Sequence, residues 1–158
     1  MPDNLYDTDI LIWSEHQADL LRRFAHGERL NDTIDWENVI EEVQSVGRSE
    51  LNGCESLLRQ ALIHLLKLHL APRSRSVSHW RGEVATFIAD ARHRFSPSMR
   101  QRIDLAGLYA EALSRLRAEA RGKHDPRLPA VCPFGLDDLL VAEPEIEALL
   151  AKVGAAND

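Results

Sequence analysis

Lysine is nearly missing from this chain. Of 19 basic residues in 158, three are Lys (Lys67, Lys123, Lys152) and 16 are Arg. Positive charge carried by guanidinium favours bidentate pairing with carboxylates or phosphates. Cysteine is scarce as well. Cys54 and Cys132 form no C-x-x-C pair, and in a reducing compartment both stay thiols, read as buried and structural. No stretch reaches the roughly 18 uncharged apolar residues of a bilayer-spanning helix, which excludes a transmembrane helix and argues against a membrane partner. The start, M-P-D-N-L-Y-D-T-D, lacks the basic n-region of a signal peptide, so the cytoplasm is the expected compartment. There is no alternating strand pattern and no internal repeat. No E-x-x-H pair, G-x-S-x-G elbow, Walker motif, glycine-rich phosphate loop or recognised nucleic-acid module occurs. Nothing therefore announces a di-iron centre, a serine nucleophile or a phosphate cradle, and no cofactor is implied.

What is present suits one soluble domain over residues 1–158, with 1–6 and 154–158 as flexible ends. Hydrophobic residues make up 44% and charged residues 28%, enough apolar material for one core. The net charge of -6 hides a segregation. Residues 1–58 carry four Arg against thirteen acidic residues, 59–123 carry thirteen basic against five acidic, and 124–158 carry two against seven. Such segments neutralise each other inside a fold, or they leave a basic face for an anionic partner, nucleic acid included.

Helical periodicity runs through the chain. A first helix is expected from Asp7 or Thr8 to about Ala25, with Gly27 as its stop signal. A second starts at Asp35 as cap and carries the stripe Trp36, Val39, Ile40, Val43, Val46, Cys54, Leu57, Leu58, Ala61, Leu62, Leu65 and Leu68. The three-four spacing crosses Gly47 and Gly53, so one helix to about Leu70 is expected, about 50 Å long, closed by Pro72. A third follows the turn R-S-R-S-V, capped by Ser76 or Ser78, with Trp80, Val84, Phe87, Ile88 and Ala91 inward. A fourth begins after Ser96 or Ser98 and runs to about Arg121. A Pro-rich loop from Asp125 to Phe134 leads to two short amphipathic turns divided by Pro144. The reading is an all-α fold: an antiparallel bundle of about four main helices, one long and central, with a short helical C-terminal tail.

Several patches carry a family resemblance. The opening L-Y-D-T-D-I-L-I-W-S-E-H-Q-A-D-L-L-R fits a Y-x-x-D-x-x-x-W start. Then come D-W-E-N-V-I-E-E-V-Q-S-V-G-R-S-E, H-L-L-K-L-H-L-A-P-R-S-R-S-V-S-H-W and the late P-F-G-L-D-D-L-L. Together they span roughly residues 5 to 140, and the chain resembles the bacterial family called domain of unknown function twenty-nine. That resemblance implies an all-helical domain and brings no activity with it.

Three constellations are candidates for chemistry. Glu50 borders the apolar stripe, so its carboxylate needs a partner from another helix; a buried pair with an arginine is expected, and Glu42 is a further buried or ligand candidate. His64 and His69 are five apart and point about 140° from each other, so they cannot chelate one ion from a straight helix. A metal would need ligands from several helices, His64 with His79 or His93, and no metal is expected; His64 and His79 are read as buried polar candidates. The turn from Pro72 to Arg81 is the best candidate. Arg73, Arg75, Ser76, Ser78 and Arg81 surround a helix N-terminus, whose free N–H groups and positive dipole end suit an anion or phosphate.

The function stays open. The leading reading is a helical-bundle protein that binds a protein or an anionic molecule through this turn. The alternatives are a nucleic-acid-associated stress or defence factor using the basic 59–123 segment, and a metal-dependent hydrolase with Glu and His ligands from several helices. The pattern says nothing of oligomeric state.

Overall fold

The computed structural model describes residues 5–156, and no strand occurs among them. Seven α-helices follow one another: α1 Leu5–Thr8, α2 Ile10–Ala25, α3 Trp36–Leu70, α4 Val77–Arg94, α5 Leu105–Glu119, α6 Leu136–Leu139 and α7 Ile146–Ala155, with a 3-10 turn Pro97–Gln101 before α5. The all-α expectation holds. Residues 1–4 and 157–158, part of the expected flexible ends, lie outside the described residues. Leu5 and Tyr6 are helical, as are Gly154 and Ala155.

The long helix is unbroken over 35 residues. Asp35 starts it, accepting from the Asn38 side-chain amide at 2.7 Å and from the Asn38 N–H at 3.4 Å. Gly53 has a packing reason to be Gly, because a Cβ there would lie 3.0 Å from Arg94 Nη1. The first expected helix divides in two. Asp9 leaves helical geometry at φ -153 and recaps the chain, accepting the Ile12 N–H at 3.1 Å. Gly27, at φ +77, then ends α2. The expected fourth helix divides too: Asp104 caps α5 by accepting the Gly107 N–H at 3.0 Å, which leaves Pro97–Gln101 as a separate turn.

The chain forms two compact units, residues 1–48 and 49–158, and α3 belongs to both. The second unit holds a large core. Leu58, Leu62, Leu65 and Leu66 of α3 are sealed from solvent, as are Val84 and Ile88 of α4, Ala112 of α5, Leu139 of α6 and Val153 of α7. Tyr109 is buried and donates its hydroxyl to the Pro129 carbonyl at 2.7 Å. Cys54 is a buried thiol facing the Ala91 carbonyl, as expected, while Cys132 is half-buried. Trp80 is half-buried against this core as an anchor. The first unit buries far less: Trp13, Gln17, Leu20 and Ile34. No helix among the described residues is long and apolar enough to cross a membrane.

Candidate functional site

The first unit is joined by polar contacts. The Trp13 indole donates to Asp35 Oδ2 at 3.1 Å, and the Asp35 N–H donates to Gln17 Oε1 at 2.8 Å. The Tyr6 hydroxyl donates to Glu42 at 2.6 Å, and its ring meets Trp13 edge-on at 4.8 Å. His16 Nε2 lies 3.2 Å from Asp32. Hydrogen bonds from Asn38 and then Trp13 hold the Asp35 carboxyl below its ordinary value. Donation to the Glu42 carboxylate pushes the Tyr6 phenol up to about 12, because ionising it would set two anions in contact. A hollow of about 600 Å³ adjoins this seam, lined by Tyr6, Trp13, His16, Asp32, Asp35 and others.

The seam decides which side of α3 is left outside. Asn38, Glu42 and Ser45, on the polar flank, are half-buried. Of the apolar stripe on this half of α3 only Val39 is half-buried like them: Trp36 is 48% exposed, Ile40 54%, Val43 70% and Val46 65%. The expectation of a core stripe running from Trp36 is therefore corrected for this half of α3. Hydrogen bonds from α1 and α2 take the polar flank, and the apolar flank faces solvent. Phe24 of α2, also exposed, meets Trp36 edge-on at 6.0 Å. A second hollow of about 480 Å³, with Phe24, Leu30, Ile34 and Trp36 in its wall, lies at this end of the stripe. Contiguous exposed apolar side chains of this size mark contact surfaces.

The residues singled out from the sequence are dispersed. Glu50 does meet an arginine of another helix, Arg94 of α4 at 3.3 Å, but both side chains are nearly half exposed, so the pair is a surface one and the expected burial is corrected. Glu50 sits where α3 has not yet entered the second unit's core, which begins at Cys54. His79 is likewise no buried group: its side chain is 70% exposed, 4.0 Å from Glu83, because it points outward from the first turn of α4. His64 is half-buried, its Nδ1 at 2.8 Å from the Gln60 carbonyl and its ring against Phe87. Among the described residues no three His, Cys, Asp or Glu side chains gather as a metal site.

The arginine turn is partly consumed. Arg81 pairs with Glu147 of α7 at 2.6 Å. The Ser76 N–H goes to Ser74 Oγ at 3.2 Å, and Ser76 precedes α4 without a side-chain cap. Arg73, Arg75 and Ser78 are exposed, and neither arginine meets a carboxylate among the described residues. Elsewhere in the basic segment Arg59 pairs with Glu111 at 2.8 Å, Lys67 with Glu119 at 3.2 Å and Arg100 with Asp137 at 2.9 Å. Arg81–Glu147 and Arg100–Asp137 join the basic segment to the acidic 124–158 segment, so part of the charge segregation is neutralised within the second unit.

Sequence reasoning missed both features of the first unit. The signal for the seam lay in the patches already quoted, since Tyr6, Trp13, Asp35 and Glu42 all belong to them. The outward stripe had no such signal, because a stripe reads the same whether a core or a partner covers it.

A family model described as Domain of unknown function DUF29 matches residues 5–143. An alpha-helical protein of unknown function from Rhodospirillum rubrum, solved as a crystal structure, is similar at 30% sequence identity and a TM-score of 0.70, over 94% of this chain and 97% of that one. No curated protein matches this chain.

Proposed function

The chain belongs to the DUF29 family, and from that membership, which brings no activity with it, we propose a cytoplasmic helical-bundle protein that acts by binding another protein. One observation carries the reading: the outward stripe Trp36, Ile40, Val43 and Val46 on α3. Leaving four large apolar side chains about half to two-thirds exposed at helical spacing forgoes part of the roughly 1.5–3 kcal/mol that full burial of each would give, unless a partner covers them. A photo-crosslinking amino acid at position 43, in the full chain in its native host, tests this. A covalent adduct with a protein is expected at 43 and lost when Ile40→Asn is added. None is expected at Ala110, an exposed position of α5. No adduct at 40, 43 or 46 would end the reading.

A second reading concerns the turn from Arg73 to Arg81, as a weak anion site. What supports it is that Arg73 and Arg75 are exposed and meet no carboxylate among the described residues, beside the first-turn N–H groups of α4. Inorganic phosphate should shift the amide resonances of Ser78 and His79, less so as salt rises. Arg73→Ala with Arg75→Ala should abolish the shift and leave Tm unchanged. The nucleic-acid alternative would use the wider basic 59–123 segment, these two arginines included. The hydrolase alternative finds no converging ligand set among the described residues.

A further inference from the structure

Resting on the binding reading above, we infer that the outward face of the first unit docks a basic amphipathic helix of a different protein. The shape argument comes from spacing. Trp36, Ile40, Val43 and Val46 recur every three or four residues over about 15 Å of α3 axis, the footprint of three helical turns on a facing helix. At one end the hollow walled by Phe24, Leu30, Ile34 and Trp36, with Glu28 and Arg29 beside them, suits an apolar anchor side chain.

Charge selects the partner. Residues 5–48 hold ten carboxylates and four arginines, and no lysine. Three of those arginines already serve carboxylates of the same unit: Arg22 meets Asp19, Arg23 meets Glu28 and Arg48 meets Glu41. Glu37 and Glu41, both exposed, line one margin of the stripe, about 100° and 140° round the helix from Trp36, Glu41 being the one that Arg48 already meets. The unit as a whole therefore carries surplus negative charge, with Glu37 the rim carboxylate that no arginine among the described residues meets and Arg29, in the wall of the hollow, the remaining cation. A second copy of this chain would bring the same surplus against itself, and an anionic bilayer or an acidic helix would be repelled likewise. A helix with an apolar stripe flanked by Lys or Arg satisfies both the stripe and the rim.

The test uses the full chain and labelled synthetic peptides of about 20 residues, long enough to form helix. One has Leu at helical spacing among Lys, one has Leu at the same spacing among Glu, and one has the Leu/Lys composition with Leu alternating. Fluorescence anisotropy at low salt should show the Leu/Lys helix preferred over both others by about tenfold or more. Ile40→Asn with Val43→Asn should weaken it about tenfold, with the circular-dichroism spectrum unchanged because both side chains are exposed. Glu37→Gln with Glu41→Gln should erase most of the preference for Lys over Glu. Equal binding of the Leu/Glu helix overturns the basic partner. Self-association in sedimentation that Ile40→Asn with Val43→Asn abolishes overturns it in favour of a second copy. If the Leu/Lys helix binds but ignores Ile40→Asn with Val43→Asn, the peptide sits elsewhere and the inference falls. Crosslinked adducts at position 43 without a Leu/Lys preference would sink the partner's chemistry alone, whereas no adduct would sink the binding reading itself.

Discussion

Tyr6 and Tyr109 are the chain's two tyrosines, and each phenol is held protonated by a different cause. Tyr6 donates to the Glu42 carboxylate and is pushed up to about 12; Tyr109 is pushed up to about 12 by burial, its hydroxyl spent on the Pro129 carbonyl. A folded value above the ordinary 10 means that both groups favour the folded state below pH 10. That contribution is lost as pH climbs from 10 towards about 12. Tyrosinate absorbance should therefore show almost no ionisation at pH 10.5 in the folded protein, against more than half in denaturant. Glu42→Gln should bring one of the two transitions down towards 10 and leave the other; two ordinary transitions in the native protein would contradict the seam. Glu50 makes the opposite point. Its pair with Arg94 is open to water, so Glu50→Ala should cost no more than about 1 kcal/mol in a denaturant melt. A loss of about 3–5 kcal/mol would mean a buried ion pair after all.

Elements were the most legible level, and α3 shows why. The cap at Asp35, the three-four spacing and Pro72 bound it to Trp36–Leu70 from local chemistry alone, because those signals act within a few residues. Its two interior glycines can be told apart only in three dimensions. A Cβ at Gly47 meets nothing within 4 Å, so Gly47→Ala should stabilise by about 1 kcal/mol through helix propensity. A Cβ at Gly53 meets the Arg94 guanidinium at 3.0 Å, so Gly53→Ala must displace that side chain from Glu50 and should gain less. Equal Tm shifts for the two would show that Arg94 yields without cost. What the pattern could not reveal was where the stripe changes its neighbour. Val43 and Leu62 obey the same periodicity, yet one is 70% exposed and the other fully buried. Periodicity reports a face and not what lies against it. Breaks at Asp9 and Asp104 were hidden for a related reason: each Asp reads as a tolerable helix residue until its carboxylate is seen capping the next turn.

At the scale of the whole molecule, the distribution of buried side chains sets the order of stability. The second unit closes a core in which Leu58, Leu62, Leu65 and Leu66 join buried residues of α4, α5, α6 and α7. The first buries three apolar side chains and Gln17. Three buried apolar side chains are few to set against the conformational entropy cost of ordering a segment of this length. No disulfide is there to reduce that cost, since Cys54 and Cys132 are free and both lie beyond residue 48. The first unit should thus fold only as an extension of α3, whose helix the second unit nucleates and holds. For this reason we propose that residues 1–158 unfold as one domain. The full chain should melt in a single transition by circular dichroism at 222 nm. A fragment of residues 49–158 should keep a cooperative melt, its new helix start at Ser49 being an acceptable cap residue. A fragment of residues 1–48 should show little helix and gain it only when tethered to the rest. A cooperative melt of the isolated 1–48 fragment would overturn this ordering, and would make the face of Trp36, Ile40, Val43 and Val46 the property of an independent module.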